Sequence, residues 1–187
     1  MHLGVWVIRA KKTLKHPKAN ESDRNAFSIK IEGYESQGFK IVYLDESGFA
    51  LDMPREYGYS LSGKRCYGVK DWHAKGRVNV IGAIVDFKFI NVCLFEASIN
   101  SYIFYAWLIR QLIPSLPKKS VIVMDNATFH KRQDMLDGIT DAGAKYEFLP
   151  PYSPDLNPIE KKWAQAKSIR RKNRCTVDEL FSHAILS

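Results

Sequence analysis

Short apolar runs, separated by turn formers and amphipathic stretches, set the rhythm of this chain. Lys40-Ile-Val-Tyr-Leu44 is a compact run with β-branched residues. It predicts a buried strand, halted by a turn at Asp45-Glu-Ser-Gly48. Val78–Val85 and Phe89–Phe95 are two β-rich runs joined by Asp86-Phe87-Lys88, the pattern of a hairpin. Ile99–Ile113 is apolar on most sides and predicts a largely buried helix, ended by Pro114 and Pro117. Val121-Ile-Val-Met124 is a second buried strand, and it too stops at an acid, Asp125. Phe129–Ala142 predicts a helix closed by Gly143. Tyr146–Leu149 predicts a third buried strand, and Pro158 to Asn173 a helix, with a short last helix from Val177.

Two stretches break this rhythm. Residues 9–40 are polar, basic and irregular, with a short helix expected near Arg24–Glu35. Residues 49–77 carry Pro54, Gly58, Gly63, Gly68 and Gly76, and read as a long insertion with strand pieces around Tyr57–Tyr67. The order is three strands, helix, strand, helix, strand, helix. That order predicts an α/β fold, a mixed sheet flanked by helices.

Composition narrows the classes. Of 187 residues, 45% are hydrophobic, enough for one core. Cys66, Cys93 and Cys175 stand alone, which excludes a C-x-x-C zinc ribbon and a dense disulfide framework. The longest apolar run, Tyr102–Ile109, falls short of the ~18 residues of a membrane span. At the N-terminus the basic residues follow the apolar ones, the reverse of a signal peptide. A cytoplasmic location without membrane contact is expected.

The net charge of +8 is unevenly spread. Residues 161–174 carry seven basic side chains and none acidic: Lys161, Lys162, Lys167, Arg170, Arg171, Lys172 and Arg174. Residues 41–160 are close to neutral, with 13 basic and 14 acidic side chains. A concentrated basic segment suits a polyanion, with nucleic acid the commonest. A solvated helix face with cations at its C-terminal end explains the same residues.

The carboxylates suggest chemistry. In open α/β sheets the C-terminal strand ends face the ligand crevice. If the strands ending at Asp45 and Asp125 are parallel neighbours, the two carboxylates lie side by side and repel unless a cation bridges them. Mg²⁺ suits such oxygen ligands, and a third acid would complete a two-metal site for phosphoryl transfer. Glu160 is the candidate. It also has a structural explanation, since Asn157, Pro158 and Glu160 match an N-cap, N1 and N3 capping box. Ile159 and Trp163, four apart, would anchor that helix on the core.

Three motifs carry a resemblance. Leu44-Asp45-Glu46-Ser47-Gly48-Phe49, Val123-Met-Asp125-Asn126-Ala127-Thr-Phe-His130 and Leu149-Pro-Pro-Tyr-Ser-Pro-Asp-Leu-Asn-Pro-Ile-Glu160 together resemble the IS630 / Tc1–mariner transposases. The 34 residues between Asp125 and Glu160 match a spacing seen in that superfamily. The resemblance implies an RNase H-like DDE/D catalytic core over 39–174, with Asp45, Asp125 and Glu160 as the catalytic, metal-binding triad. It implies two Mg²⁺ or Mn²⁺ ions per site, nicking at element ends, and strand transfer at a TA dinucleotide. Asn126 and His130 are supporting candidates, His130 either orienting a ligand or touching phosphate. The seven basic residues become candidate DNA contacts.

The resemblance also shapes the domain expectations. Residues 1–38 are expected to be a linker and the remnant of a helix-turn-helix region. Residues 49–77 are an insertion within the core, able to grip DNA or to form a surface excursion. Residues 175–187 are a C-terminal helix or tail. Double-stranded DNA, a second copy of the chain and a separately encoded helix-turn-helix half are the implied partners. An inactive DNA-binding remnant and an RNase H-like nuclease are the rival readings.

Overall fold

The computed structural model describes residues 17–51 and 76–182. Among these, the strands are β1 (Lys40–Ala50), β2 (Arg77–Val85), β3 (Lys88–Phe95), β4 (Ser120–Met124) and β5 (Lys145–Phe148). They form one sheet in the order β3-β2-β1-β4-β5. The pairs β1–β2 and β2–β3 are antiparallel, whereas β1–β4 and β4–β5 are parallel. Parallel neighbours need a crossover, and helices supply it. The first is α2 (Ser101–Trp107), prolonged by a π-turn at Leu108–Leu112 and a last turn, α3 (Ile113–Ser115). The second is α4 (Gln133–Asp141). The mixed sheet flanked by helices is therefore the fold expected from the sequence.

Period-2 alternation splits the strand side chains between two faces. Val42, Leu44, Ile81, Ala83, Ile122 and Met124 pack on Phe104, Trp107 and Leu112 on one side and on Met135 and Ile139 of α4. The other face is covered in two parts. Phe49, Val80 and Ile84 lie under Ile159, Trp163 and Ala166 of α5 (Ile159–Asn173) and Val177 and Leu180 of α6 (Val177–Ser182). Ile41, Val121 and Val123 lie under Phe27 and Ile31 of α1 (Glu21–Ser36). So α1, within the stretch assigned to a linker, packs on the sheet. Its buried Arg24 also holds Asp155 with two hydrogen bonds, of 2.9 and 2.6 Å.

The boundaries differ from the sequence pattern in instructive places. β1 does not stop at Asp45: it pairs with β2 from Tyr43↔Ile84 to Ala50↔Arg77. The turn signal Glu-Ser-Gly is overridden because an antiparallel partner satisfies the backbone and Phe49 is fully buried. The β2–β3 hairpin closes on two residues, Asp86 and Phe87, both at positive φ (49° and 62°), as a type I′ turn requires. The predicted helix at 99–113 starts at Ser101, where the Asn100 side chain accepts from the Tyr102 and Ile103 N–H groups. It does not end before Pro114, which sits in its last turn. The predicted helix at 129–142 is two pieces, a 3₁₀ turn at Thr128–Lys131 and then α4, separated by extended Arg132. The strand pieces expected around Tyr57–Tyr67 lie outside the described residues.

One expected DNA contact is instead part of the scaffold. Arg170 is 6% exposed. Its Nη1 donates to the Ala50 carbonyl (2.6 Å), Nη2 to Leu51 (3.2 Å) and Nε to Cys175 (3.1 Å). A planar guanidinium suits such divergent acceptors, and burial removes it from any phosphate. We expect Arg170→Ala to lower unfolding free energy by about 1–3 kcal/mol, the cost of orphaning buried acceptors. Arg171→Ala should stay within about 0.5 kcal/mol. Urea denaturation of both variants checks this.

Candidate active site

The register of the parallel pair builds the site. The β1–β4 ladder ends at Tyr43↔Val123, and Asp45 and Asp125 each lie two residues further on. Alternation puts Asp45 on the sheet face that α1 and α5 cover; Asp125 follows β4 by one residue, and its carboxylate meets His130. The expectation that these two acids end neighbouring parallel strands therefore holds for the ladder, although β1 itself continues. Glu160 comes from the first turn of α5, and its charge is felt at Asp45.

The helix start departs from the capping-box reading. Pro158 is itself helical (φ −65°, ψ −19°), so the cap position moves onto a residue without a capping side chain. The Glu160 N–H bonds back to the Asn157 carbonyl at 3.2 Å, and Asn157 Oδ1 is buried without a hydrogen-bond partner among the described residues. No side-chain cap hydrogen bond forms at this end, and Glu160 is exposed. The capping-box explanation for Glu160 is thereby removed.

The three carboxylates have unequal environments. Burial pushes Asp45 up from 3.8 to about 7, with the Glu160 charge adding to it. The charges of Glu46 and Asp125 act in the same sense, against a hydrogen bond from the Glu46 backbone. Asp45 Oδ2 accepts a hydrogen bond from Trp163 Nε1 at 3.2 Å. Asp125 is held below its ordinary value, chiefly by His130. Its Oδ1 receives His130 Nδ1 at 2.6 Å and the Ala127 N–H at 2.9 Å.

His130 bridges two acids. Its Nε2 lies 3.3 Å from Glu46 Oε1, while its ring packs 4.4 Å from the Phe104 ring. Burial alone would lower its pKa, but the hydrogen bonds to Asp125 and Glu46 and their charges raise it to about 9. It is thus an imidazolium at neutral pH, donating at both nitrogens. At 1% exposure it does not reach a phosphate. Asn126 is exposed beside Asp125. Glu46 was not singled out by the sequence; alternation next to Asp45 places it on the opposite face, toward α2, and is the signal that could have found it.

The basic residues of α5 divide. Lys161, Arg171, Lys172 and Arg174 are exposed, and Lys162 is half-buried. Lys167 is half-buried, with Nζ 5.4 Å from the centre of the Phe49 ring. Only Arg170 is withdrawn into the scaffold.

The donor chemistry fits a divalent cation. Asp45, Asp125 and Glu160 are hard oxygen donors, and Asp45 holds its proton tightly because it is buried and other carboxylate charges act on it. As the side chains stand, no three His, Cys, Asp or Glu among the described residues are gathered closely enough to ligate one ion. Joint ligation therefore requires side-chain rotation, and exposed Glu160 has the freedom for it.

Residues 40–180 match the family described as DDE superfamily endonuclease, which covers most of the chain. The chain belongs to the DDE superfamily endonucleases. No curated protein matches it in sequence. Solved structures share its fold. One is a Mos1 transposase paired-end complex with left transposon end (18% identity, 88% of this chain, 53% of that chain, TM-score 0.68). Another is the mariner Mos1 paired end complex with Mg (20%, 82%, 50%, TM-score 0.63). A third is the catalytic domain of Mos1 mariner transposase (15%, 87%, 74%, TM-score 0.53). The endonuclease thus has the RNase H-like fold of that catalytic domain, and spans about half the length of the whole transposase chains it matches. No helix among the described residues is long and apolar enough to cross a membrane.

The pKa shift of Asp45 sets a pH dependence. A folded-state pKa raised from 3.8 to about 7 means that the native state holds this proton more tightly than the unfolded chain. Stability from this group is therefore lost as pH rises from 3.8 to about 7, then levels off. In metal-free buffer at pH 8, Asp45→Asn should be more stable than wild type by more than about 1.4 kcal/mol, the worth of one pKa unit. The gap should close toward pH 4. Thermal melts across that range check it.

Proposed function

We propose that this chain is the catalytic part of a transposase of the IS630 / Tc1–mariner type. It cuts DNA at the ends of a mobile element and joins the freed 3′ ends to target DNA, at a TA dinucleotide. The observation that carries the reading is that Asp45 and Asp125 each follow the β1–β4 ladder by two residues, and that the charges of both Asp125 and Glu160 act on Asp45. Membership of the endonuclease family supports it.

Asp45, Asp125 and Glu160 would hold two Mg²⁺ or Mn²⁺ ions. Such a pair supplies a nucleophilic oxygen at neutral pH and stabilises the leaving oxygen of the scissile phosphate. The chain's own residues do the rest. The sheet fixes two carboxylates at one spacing, and α5 brings the third. His130 holds Asp125 ionised and fixes its Oδ1 through a hydrogen bond of 2.6 Å. Lys161, Lys162, Lys167, Arg171, Lys172 and Arg174 offer positive charge along α5 for the DNA backbone. A second copy of the chain, and a helix-turn-helix half encoded separately, complete the assembly in this reading.

Nicking of supercoiled DNA tests the proposal. Asp45→Asn, Asp125→Asn and Glu160→Gln should each reduce Mn²⁺-dependent nicking at least about 10³-fold, with the fold intact by circular dichroism. Retained nicking in all three would remove the active-site assignment. Preferential cleavage of RNA–DNA hybrids would favour an RNase H-like nuclease instead, and a wild type without metal-dependent nicking would favour an inactive remnant.

Binding is expected to be weak and nearly blind to sequence. Each phosphate neutralised on duplex DNA adds about −0.9 to the slope of log K against log salt. Arg171→Ala combined with Lys172→Ala should make that slope shallower by about 1–2 and weaken all duplexes alike. A salt titration on element-end and scrambled DNA measures both effects.

A further inference from the structure

The indole of Trp163 occupies a place for which packing alone is an incomplete account. It lies three residues after Glu160 on α5, hence on nearly the same helix face. It is 2% exposed, and Phe49, Phe89 and Phe181 surround it with ring centres at 6.2, 5.2 and 6.3 Å. An indole N–H is a donor only, and when buried it must find an acceptor. Its acceptor is Asp45 Oδ2, at 3.2 Å.

The sheet is shaped to admit that contact. The residue directly opposite Asp45 on β2 is Gly82. A Cβ there would come within 2.6 Å of Trp163 Cη2 and 3.0 Å of Cζ2. The glycine therefore leaves the slot in which the indole lies flat enough to reach across to β1. The neighbouring positions on the same face, Val80 and Ile84, both carry branched side chains. A small residue in a strand otherwise rich in β-branched ones needs such a reason.

We propose that Trp163 is a positioning residue for metal binding: its N–H fixes the Asp45 carboxylate, and Gly82 provides the slot that makes this reach possible. The inference rests on the metal role of Asp45 given above. One helix then both supplies Glu160 and orients the acid that Glu160 must work with, so the two carboxylates are held relative to each other by a single rigid element.

The test measures Mn²⁺ affinity of the full chain by calorimetry, alongside indole N–H resonances. Trp163→Phe keeps a ring in the box and drops the donor; it should weaken Mn²⁺ binding about ten- to a hundredfold, as loss of a group that orients a ligand does. Replacing the indole of Trp163 by benzothiophene, which keeps the shape and removes only the N–H, should give the same loss without perturbing the fold. Gly82→Ala should weaken binding in the wild-type background and weaken it less in the Trp163→Phe background, where the indole atoms are gone and only Phe89 Cε1, 3.2 Å from the added methyl, is still crowded. The N–H resonance lost in Trp163→Phe should shift on Asp45→Asn and during Mg²⁺ titration.

A purely packing role predicts that Phe49→Leu, which opens the same box without touching the N–H, weakens Mn²⁺ binding as much as the benzothiophene does. That result would overturn the proposal. Unchanged affinity in the benzothiophene variant, with affinity lost in Asp45→Asn, would overturn the positioning role and leave the active-site reading standing. Mn²⁺ binding indifferent to Asp45→Asn would overturn both.

Discussion

The parallel ladder between β1 and β4 is the contact on which the rest of the molecule depends. Its register, ending at Tyr43↔Val123, decides where two acids stand relative to each other. Parallel pairing is available only because α2 and its π-turn carry the chain back across one face. Those helices in turn require the apolar face of Val42, Leu44, Ile122 and Met124. The same four-residue ladder thus anchors the core and fixes the geometry of like charges. An ordinary core would avoid such charges, since each buried carboxylate raises the cost of the next.

Two residues from opposite sides of the sheet manage that cost. From the α2 side, His130 arrives as a cation and is shared between Asp125 and Glu46. From the α5 side, Trp163 offers a neutral donor to Asp45. The asymmetry has a chemical consequence. Asp125 is kept ionised chiefly by the hydrogen bond from His130, with its charge adding to it, whereas buried Asp45 is left with a raised proton affinity. The division follows from the burial of Asp45 on one side and the short hydrogen bond from His130 to Asp125 on the other.

Much of this was legible in the sequence, for identifiable reasons. Apolar runs at Ile41–Leu44 and Val121–Met124 are unambiguous as buried strands, and the acids after them mark the crevice end. The motif around Glu160 is long and, together with the two motifs before it, carries the family resemblance. What was not legible depended on partners distant in the chain. The extension of β1 to Ala50 needs β2 beside it, and no local signal reports that. The burial of Arg170 depends on the carbonyls of Ala50 and Leu51, 120 and 119 residues away. In sequence it is one of three adjacent cations. The capping box failed for a subtler reason: Asn157 and Glu160 have the right spacing, but Pro158 is already helical and shifts the start of α5 by one residue.

Arg170 gives α5 a mechanical role. Glu160 and Arg170 lie ten residues apart on one helix, about 15 Å along its axis at 1.5 Å per residue. At one end the rod carries a carboxylate of the site. At the other its guanidinium grips the carbonyls of Ala50 and Leu51, beside the point where the Leu51 N–H donates to the Gly76 carbonyl. The helix that carries Glu160 is therefore tied at its far end to the residues that follow β1, and α5 is fastened to the sheet through backbone acceptors as well as through its apolar face.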